Sequence, residues 1–151
     1  METTTSEEIL ELMNTSKFMD HMTLEYLNSL DDDDIISVRR NNKLVGVLIT
    51  KPSYLYKKSW TAKFELPKDS YAICQLIVRP EYQNKKIATH MIEEFIKKHN
   101  TKCLTLSVSC ENENAIQFYE KLGWKKLGTF DYRTETTHNI DLKLYIYRLS
   151  I

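Results

Sequence analysis

Residues 71–78 read Tyr-Ala-Ile-Cys-Gln-Leu-Ile-Val, an almost continuous apolar run that Pro80 brings to a stop. A run of this length bounded by a breaker is a central strand buried on both faces. A helical repeat begins soon afterwards. Ile87/Ala88, Met91/Ile92 and Phe95/Ile96 recur every four residues between Ile87 and Asn100, and Lys97 and Lys98 suit the helix's C-terminal end. Leu104, Leu106 and Val108 then alternate with Thr105 and Ser107, which is the period of a strand. Buried strand, amphipathic helix and second strand in succession require a layered fold built on a sheet.

The rest of the chain fits around that unit. Two short amphipathic helices open it. Ser6 is placed to cap the first, Glu7 and Glu8 occupy its first turn, and Ile9, Leu12 and Met13 form its stripe. Met22, Leu24, Tyr26, Leu27 and Leu30 mark the second, which the run Asp31 to Asp34 breaks. Strands follow at Ile35 to Arg40 and Lys43 to Thr50, joined by Asn41-Asn42, a pair that tolerates the positive φ of a tight hairpin. A loop from Pro52 to about Lys68 precedes the central strand. Beyond the 104–108 strand come a helix from Asn112 to Leu122, with Gly123 as its left-handed cap, and strands at Trp124 to Asp131 and Asp141 to Leu149. The expected class is α+β (mixed α/β): one mixed, mainly antiparallel sheet flanked by about four helices.

No repeat or composition break divides the 151 residues, so a single domain spanning 1–151 is expected. Lys+Arg and Asp+Glu both number 21, and that balance argues against a nucleic-acid binder. No stretch approaches membrane-span length and the N-terminus lacks the basic region of a signal peptide, so no membrane association is expected. Three cysteines, Cys74, Cys103 and Cys110, cannot all pair, which points to a reducing, cytoplasmic compartment. The histidines His21, His90, His99 and His138 show no ligand spacing, so no metal is expected.

The chemistry concentrates where the buried strand meets the helix, in Val78-Arg79-Pro80-Glu81-Tyr82-Gln83-Asn84-Lys85-Lys86-Ile87-Ala88. The first N–H groups of a helix have no internal partner, and the dipole puts partial positive charge there, so the turn suits an anion, most naturally a phosphate. Lys85 and Lys86 cost about 0.3–1 kcal/mol each at such an end, a sign that a bound pyrophosphate reverses. On spacing alone, solvated lysines on an exposed turn fit equally well.

Val78-x-Pro80-Glu81-Tyr82-Gln83-x-x-x-Ile87-Ala88 resembles the central signature of the GNAT superfamily of N-acetyltransferases, V-x-P-x-x-Q/R-x-x-G-x-G/A. Asn112-x-x-Ala115-Ile116-x-Phe118-Tyr119-Glu120-Lys121-Leu122-Gly123-Trp124 is similar to its later signature, N-x-x-A-x-x-F/L-Y-x-x-x-G-F/W. Both stand in the family's order, and with their flanks the resemblance covers roughly residues 35 to 150. It implies acetyl-CoA as co-substrate and a primary amine as acceptor, with direct transfer in a ternary complex. Backbone amides from Asn84 to Thr89 (Asn84, Lys85, Lys86, Ile87, Ala88, Thr89) would hold the CoA pyrophosphate, and Gln83 counts with them among the cofactor-binding residues. Leu76, Ile77 and Val78 would bond the pantetheine arm and polarise the acyl carbonyl. Asn112 would sit near the cofactor, and Tyr119 would protonate the departing thiolate as general acid. The alternative for Tyr119 is a packed helix aromatic, since Ala115, Phe118 and Leu122 lie in the same helix; the surrounding signature favours the acid.

The chain departs from this pattern in three places. Lys86 and Asn84 stand where the turn usually has Gly, and a side chain there crowds backbone against phosphate. N-myristoyltransferases share the fold with a Lys/Arg-rich turn; Lys86-Ile87-Ala88 is similar to it, as is Lys43-Leu44-Val45-Gly46, which keeps another acyl-CoA open as donor. Ser107 stands where several relatives carry a Glu base, leaving ordered water, Glu81 or Glu111 as candidates and the base unassigned. The strand that usually precedes the first helix is absent, which leaves a sheet edge for a partner subunit and makes a homodimer the expected assembly. A fold kept for binding after loss of turnover is the alternative to an enzyme. The Asp31–Asp34 run reads as a solvated loop or a lure for a cationic amine. Tyr54, Tyr56 and Trp60, and likewise Tyr132, Tyr145 and Tyr147, read as pocket walls or as packing. Cys110, with no histidine spaced to activate it, reads as incidental.

Overall fold

The structure, a computed structural model, describes residues 5–15, 23–53, 64–83, 86–133 and 141–151. Four α-helices occur among them: α1 (Ser6–Met13), α2 (Leu24–Asn28), α3 (Ile87–His99) and α4 (Glu113–Lys121). Six strands form one sheet: β1 (Ile35–Arg40), β2 (Lys43–Pro52), β3 (Tyr71–Val78), β4 (Cys103–Ser109), β5 (Lys125–Arg133) and β6 (Asp141–Ser150), in the order β1-β2-β3-β4-β6-β5. The element order and the mixed α/β class agree with the sequence expectation. The chain forms two compact units, residues 1–51 with 74–100 and residues 52–73 with 101–151, and β3 runs from one into the other.

In the first unit, α1 is started by Thr5 rather than by Ser6. The Thr5 hydroxyl accepts the Glu8 N–H at 3.2 Å and the Glu8 carboxylate accepts the Thr5 N–H at 3.1 Å. The reason is spacing: Thr5 has a glutamate three residues on to close the box, whereas Ser6 has Ile9. Ile9, Leu12 and Met13 are buried as expected, against Leu27 of α2, Leu44, Val47 and Ile49 of β2, and Ile77 of β3. Helix α2 is shorter than its apolar pattern, because Thr23 caps it at Tyr26 N–H (3.0 Å) and only Leu27 is fully buried. Met22 lies outside the described residues. The aspartate run forms a 3-10 turn at Asp32–Asp34, in which Asp34 pairs with Lys51 and Asp33 with Lys98, both at 3.3 Å.

Asn41 and Asn42 take φ of 53° and 62° and join β1 to β2 through the antiparallel pair Arg40↔Lys43. Two successive positive φ values define the tight turn that matches strand twist. Strand β3 alternates rather than being buried throughout: Ala72, Ile73, Gln75 and Ile77 are buried, and Tyr71, Cys74, Leu76 and Val78 are half-buried. Helix α3 buries Ile87, Met91, Ile92 and Phe95, the stripe its periodicity marks. It lies close on β2, for a Cβ built on Gly46 would stand 3.1 Å from both Ile87 Cγ2 and Met91 Cε.

In the second unit, β3 and β4 pair in parallel through Tyr71↔Leu104 and Ala72↔Thr105. Strand β6 is antiparallel to β4 on one side and to β5 on the other. Ala72 and Ile146 are the buried centre, with Phe64, Phe130 and Leu144 packed on them. Asn112 caps α4, and Gly123 follows its end with φ of 95°, as the sequence indicates. The fully buried Tyr147 donates its hydroxyl to Glu120 of α4 at 2.9 Å. Among the described residues no helix is long and apolar enough to cross a membrane.

Arg39 of β1 holds Glu8 at 2.7 Å and lowers its carboxyl pKa from 4.5 to about 2. A carboxyl depressed on folding stabilises the fold above its unfolded pKa and loses that contribution as pH falls through the folded value. Stability should therefore decline between pH 4.5 and about 2. Glu8→Gln should flatten that limb in urea unfolding at stepped pH; an unchanged limb would show the pair contributes nothing.

Candidate active site

At the end of β3 the chain enters a turn tied at each step. The Arg79 N–H donates to Val45 O at 2.8 Å, Tyr82 N–H to Arg79 O at 2.9 Å, and Gln83 N–H to Pro80 O at 3.4 Å. The Gln83 side chain donates from Nε2 to Val78 O at 3.1 Å, returning the turn to the strand's last carbonyl. Gln83 is thereby a brace of the turn. Asn84 and Lys85 lie outside the described residues. The chain resumes at Lys86, whose φ of 61° and ψ of 18° are left-handed, and α3 starts at Ile87.

Lys86 therefore stands in the conformation glycine adopts most freely. Among the described residues no side chain caps the start of α3, and no acidic residue occupies its first turn, where Ile87, Ala88 and Thr89 lie. His90 N–H is already bonded to Lys86 O at 3.0 Å. The donors of residues 87–89 are the orphans of a helix start, and the lysine side chain is exposed. This arrangement suits an anion. Gly46 contributes indirectly, by letting α3 approach β2.

Sequence reasoning missed Arg79. Its Nε donates to Leu44 O at 2.7 Å, and its Nη1 and Nη2 bond the two oxygens of Glu11 on α1 at 3.1 and 2.5 Å. The guanidinium's pull holds the Glu11 carboxyl below the usual carboxylate range, and Glu11 in turn raises the Arg79 pKa. The signal was present: an arginine between a buried strand and a proline needs a carboxylate.

Leu76, Ile77 and Val78 lie on the last turn-ward stretch of β3, beyond its parallel pairing at Tyr71–Ala72. They share the first unit with Gln83 and with Lys86 to Thr89. Asn112 and Tyr119 belong to the second unit. The Asn112 Oδ1 is occupied in capping, accepting Ala115 N–H at 3.2 Å. Tyr119 is buried on α4, edge-on to Phe118 at 5.2 Å and to Trp124 at 5.4 Å. Burial alone pushes its phenol pKa up, without a contributing charge or hydrogen bond among the described residues. Trp124 Nε1 is buried with no partner among the same residues.

Ser107 is half-buried on β4, opposite Ile146, and Glu81 and Glu111 are both exposed. The acidic run is partly neutralised by Lys51 and Lys98, more than a bare solvated loop. Tyr54, Tyr56, Trp60, His21, His138 and the side chain of Tyr132 lie outside the described residues. Tyr147 packs, with its hydroxyl on Glu120 and a pKa raised to about 12, chiefly by burial. Tyr145 receives Lys126 Nζ over its ring at 3.9 Å. His99 stacks on Phe95 with centroids 4.2 Å apart.

Residues 6–124 match the pattern of the Acetyltransferase (GNAT) family. An uncharacterised N-acetyltransferase of Methanocaldococcus jannaschii is 27% identical over 105 residues, covering 68% of this chain. The chain spans less than half of that relative, 43% of its length. Among solved structures, the ribosomal-protein-S18-alanine N-acetyltransferase of Escherichia coli superposes with a TM-score of 0.71 at 19% identity, covering 100% of this chain and 90% of that one. NAA60 of Arabidopsis thaliana in complex with acetyl-CoA gives 0.72 at 16% identity, over 97% and 93%. The likeness in fold extends across both units.

A left-handed lysine is strained by about 1–2 kcal/mol, and glycine there relieves the strain while adding freedom to the unfolded chain worth about 0.4–1 kcal/mol. Lys86→Gly should thus leave stability unchanged or raise it by up to about 1.6 kcal/mol, whereas the β-branched Lys86→Val should lower it. Urea midpoints decide; a clear loss with glycine contradicts the left-handed geometry.

Proposed function

This chain belongs to the acetyltransferase (GNAT) family, and we propose that it moves the acetyl group of acetyl-CoA directly to a primary amine. The observation that carries the reading is Lys86. It stands where the family turn has glycine, yet it holds the backbone conformation that glycine would, ahead of a helix start that no side chain caps among the described residues. Retained backbone geometry favours a working cofactor turn over a degenerate one. The donors of residues 84–89 are then the pyrophosphate site, with the Lys86 charge as an added attraction, and Leu76–Val78 supplies strand-edge groups for the pantetheine arm and acyl carbonyl. Acetyl rather than a long acyl group is favoured by the chain's size, since 151 residues leave little room for a long groove.

In the reaction, the neutral amine's lone pair forms the C–N bond and the C–S bond breaks. The leaving thiolate takes the Tyr119 proton, and the proton that the attacking nitrogen gives up on becoming an amide returns to the phenolate through water. Burial suits Tyr119 to this role because it keeps the phenol protonated at neutral pH. The amine sheds its ammonium proton before attack, through water or a base; Glu81 and Glu111 are exposed carboxylates of ordinary reach to solvent.

Calorimetric titration with acetyl-CoA, free CoA and myristoyl-CoA should show acetyl-CoA binding. Binding to none of them would favour a fold retained for interaction alone. Lys86→Glu should weaken acetyl-CoA binding roughly three- to thirtyfold, twice the helix-end charge effect of about 0.3–1 kcal/mol; unchanged affinity removes the pyrophosphate from this turn. Tyr119→Phe should lower kcat by about 10²–10⁴ with acetyl-CoA affinity unchanged. Full turnover in that variant assigns the acid elsewhere.

A further inference from the structure

The Arg79–Glu11 pair has no part in the transfer chemistry, yet it anchors the turn that the chemistry needs. Arg79 grips three chain segments at once: its N–H bonds Val45 O, its Nε bonds Leu44 O, and its fork bonds Glu11 of α1. Its carbonyl in turn holds Tyr82 N–H, and the neighbouring Val78 O holds the Gln83 side chain. Any displacement of Arg79 therefore passes directly to Tyr82 and Gln83.

We propose that Glu11 and Arg79 are positioning residues that make the seating of α1 and the geometry of the 79–83 turn a single equilibrium. The ligand half of this proposal rests on reading that turn as the acyl-CoA site. The asymmetry of the pair sets the direction of control. The arginine side chain is 7% exposed and the glutamate 62%. A guanidinium so far desolvated must keep a carboxylate or move toward water. If Glu11 loses its charge, Arg79 swings outward, its Nε leaves Leu44 O, and the turn loosens. The exposed Glu11 carboxylate contributes little to the core, so its replacement leaves α1 packed through Ile9, Leu12 and Met13.

The molecule carries its own control. Glu8, one helical turn earlier on α1, forms the same type of pair with Arg39 of β1. Loosening α1 in general weakens both pairs' effects alike, whereas a positioning role belongs to Glu11.

Glu11→Gln, Glu8→Gln and Arg79→Lys should be compared with wild type at a temperature where circular dichroism shows all four folded. In the ligand-free proteins, hydrogen exchange at the Tyr82 and Gln83 amides should accelerate in Glu11→Gln and not in Glu8→Gln. Acetyl-CoA affinity should fall about three- to thirtyfold in Glu11→Gln, the usual range for a coupled site, and hold in Glu8→Gln. Arg79→Lys should behave like Glu11→Gln, because an ammonium cannot hold Leu44 O and fork onto Glu11 together. Equal effects of the two glutamate variants overturn the proposal, as does a lowered thermal midpoint in Glu11→Gln with exchange and affinity unchanged. If wild type binds no acyl-CoA, the transfer reading fails, and the exchange comparison still decides whether Glu11 sets the turn.

Discussion

A guanidinium held at the end of a central strand cannot be left without a counter-charge, and much of the first unit is arranged around that requirement. Arg79 takes Leu44 O with its Nε and spends its fork on Glu11. Either bond alone is ordinary. Together they fix where β3 stops relative to β2 and where α1 lies, and they do so beside Pro80, which cannot continue the ladder because it has no N–H. The Glu8–Arg39 pair fastens the same helix to β1. Two glutamates three residues apart on one helix face thus reach one arginine on β1 and another just past the end of β3, while the apolar stripe of α1 supplies the burial.

Backbone freedom is spent sparingly in a chain with three glycines. One of them, Gly46, lies where a side chain would strike Ile87 and Met91, so it sets how closely α3 approaches the sheet. The left-handed position just before α3 has no glycine; Lys86 occupies it. Strain of that kind persists only where the surroundings over-determine it and it tends to gather at functional sites. Here the surroundings are visible: the Lys86 carbonyl is the first acceptor of α3, and the stripe beginning at Ile87 is buried. A lysine that carries both the bend and a positive charge can replace a glycine whose sole contribution was the bend.

The sequence disclosed the elements because their signals are local. Strand β3, the Asn41-Asn42 turn, the α3 stripe and the Gly123 cap each follow from residues within a few positions of one another. The start of α1 was misplaced by one residue, since choosing between Thr5 and Ser6 depends on the partner three residues on. The need of Arg79 for a carboxylate was legible, but its partners were not. Its partners Glu11 and Leu44 are 68 and 35 residues away, and no periodicity links them. For the candidate site, the turn was legible from strand, proline and helix start, but the left-handed Lys86 was not, because sequence preference argues against it.

In the acid role proposed for Tyr119, burial need not be an obstacle. Desolvation penalises the phenolate and so raises the pKa, which would make the residue a poor donor to bulk water. A CoA thiolate generated in a similarly dry site is destabilised by the same effect, so its own basicity rises alongside. What governs transfer is the difference between the two pKa values rather than the height of either. Burial that lifts both leaves that difference near its value in water, while keeping the proton on the phenol until the C–S bond breaks. A partner that hydrogen-bonded the phenolate would narrow the gap but would also hold the hydroxyl in the resting state.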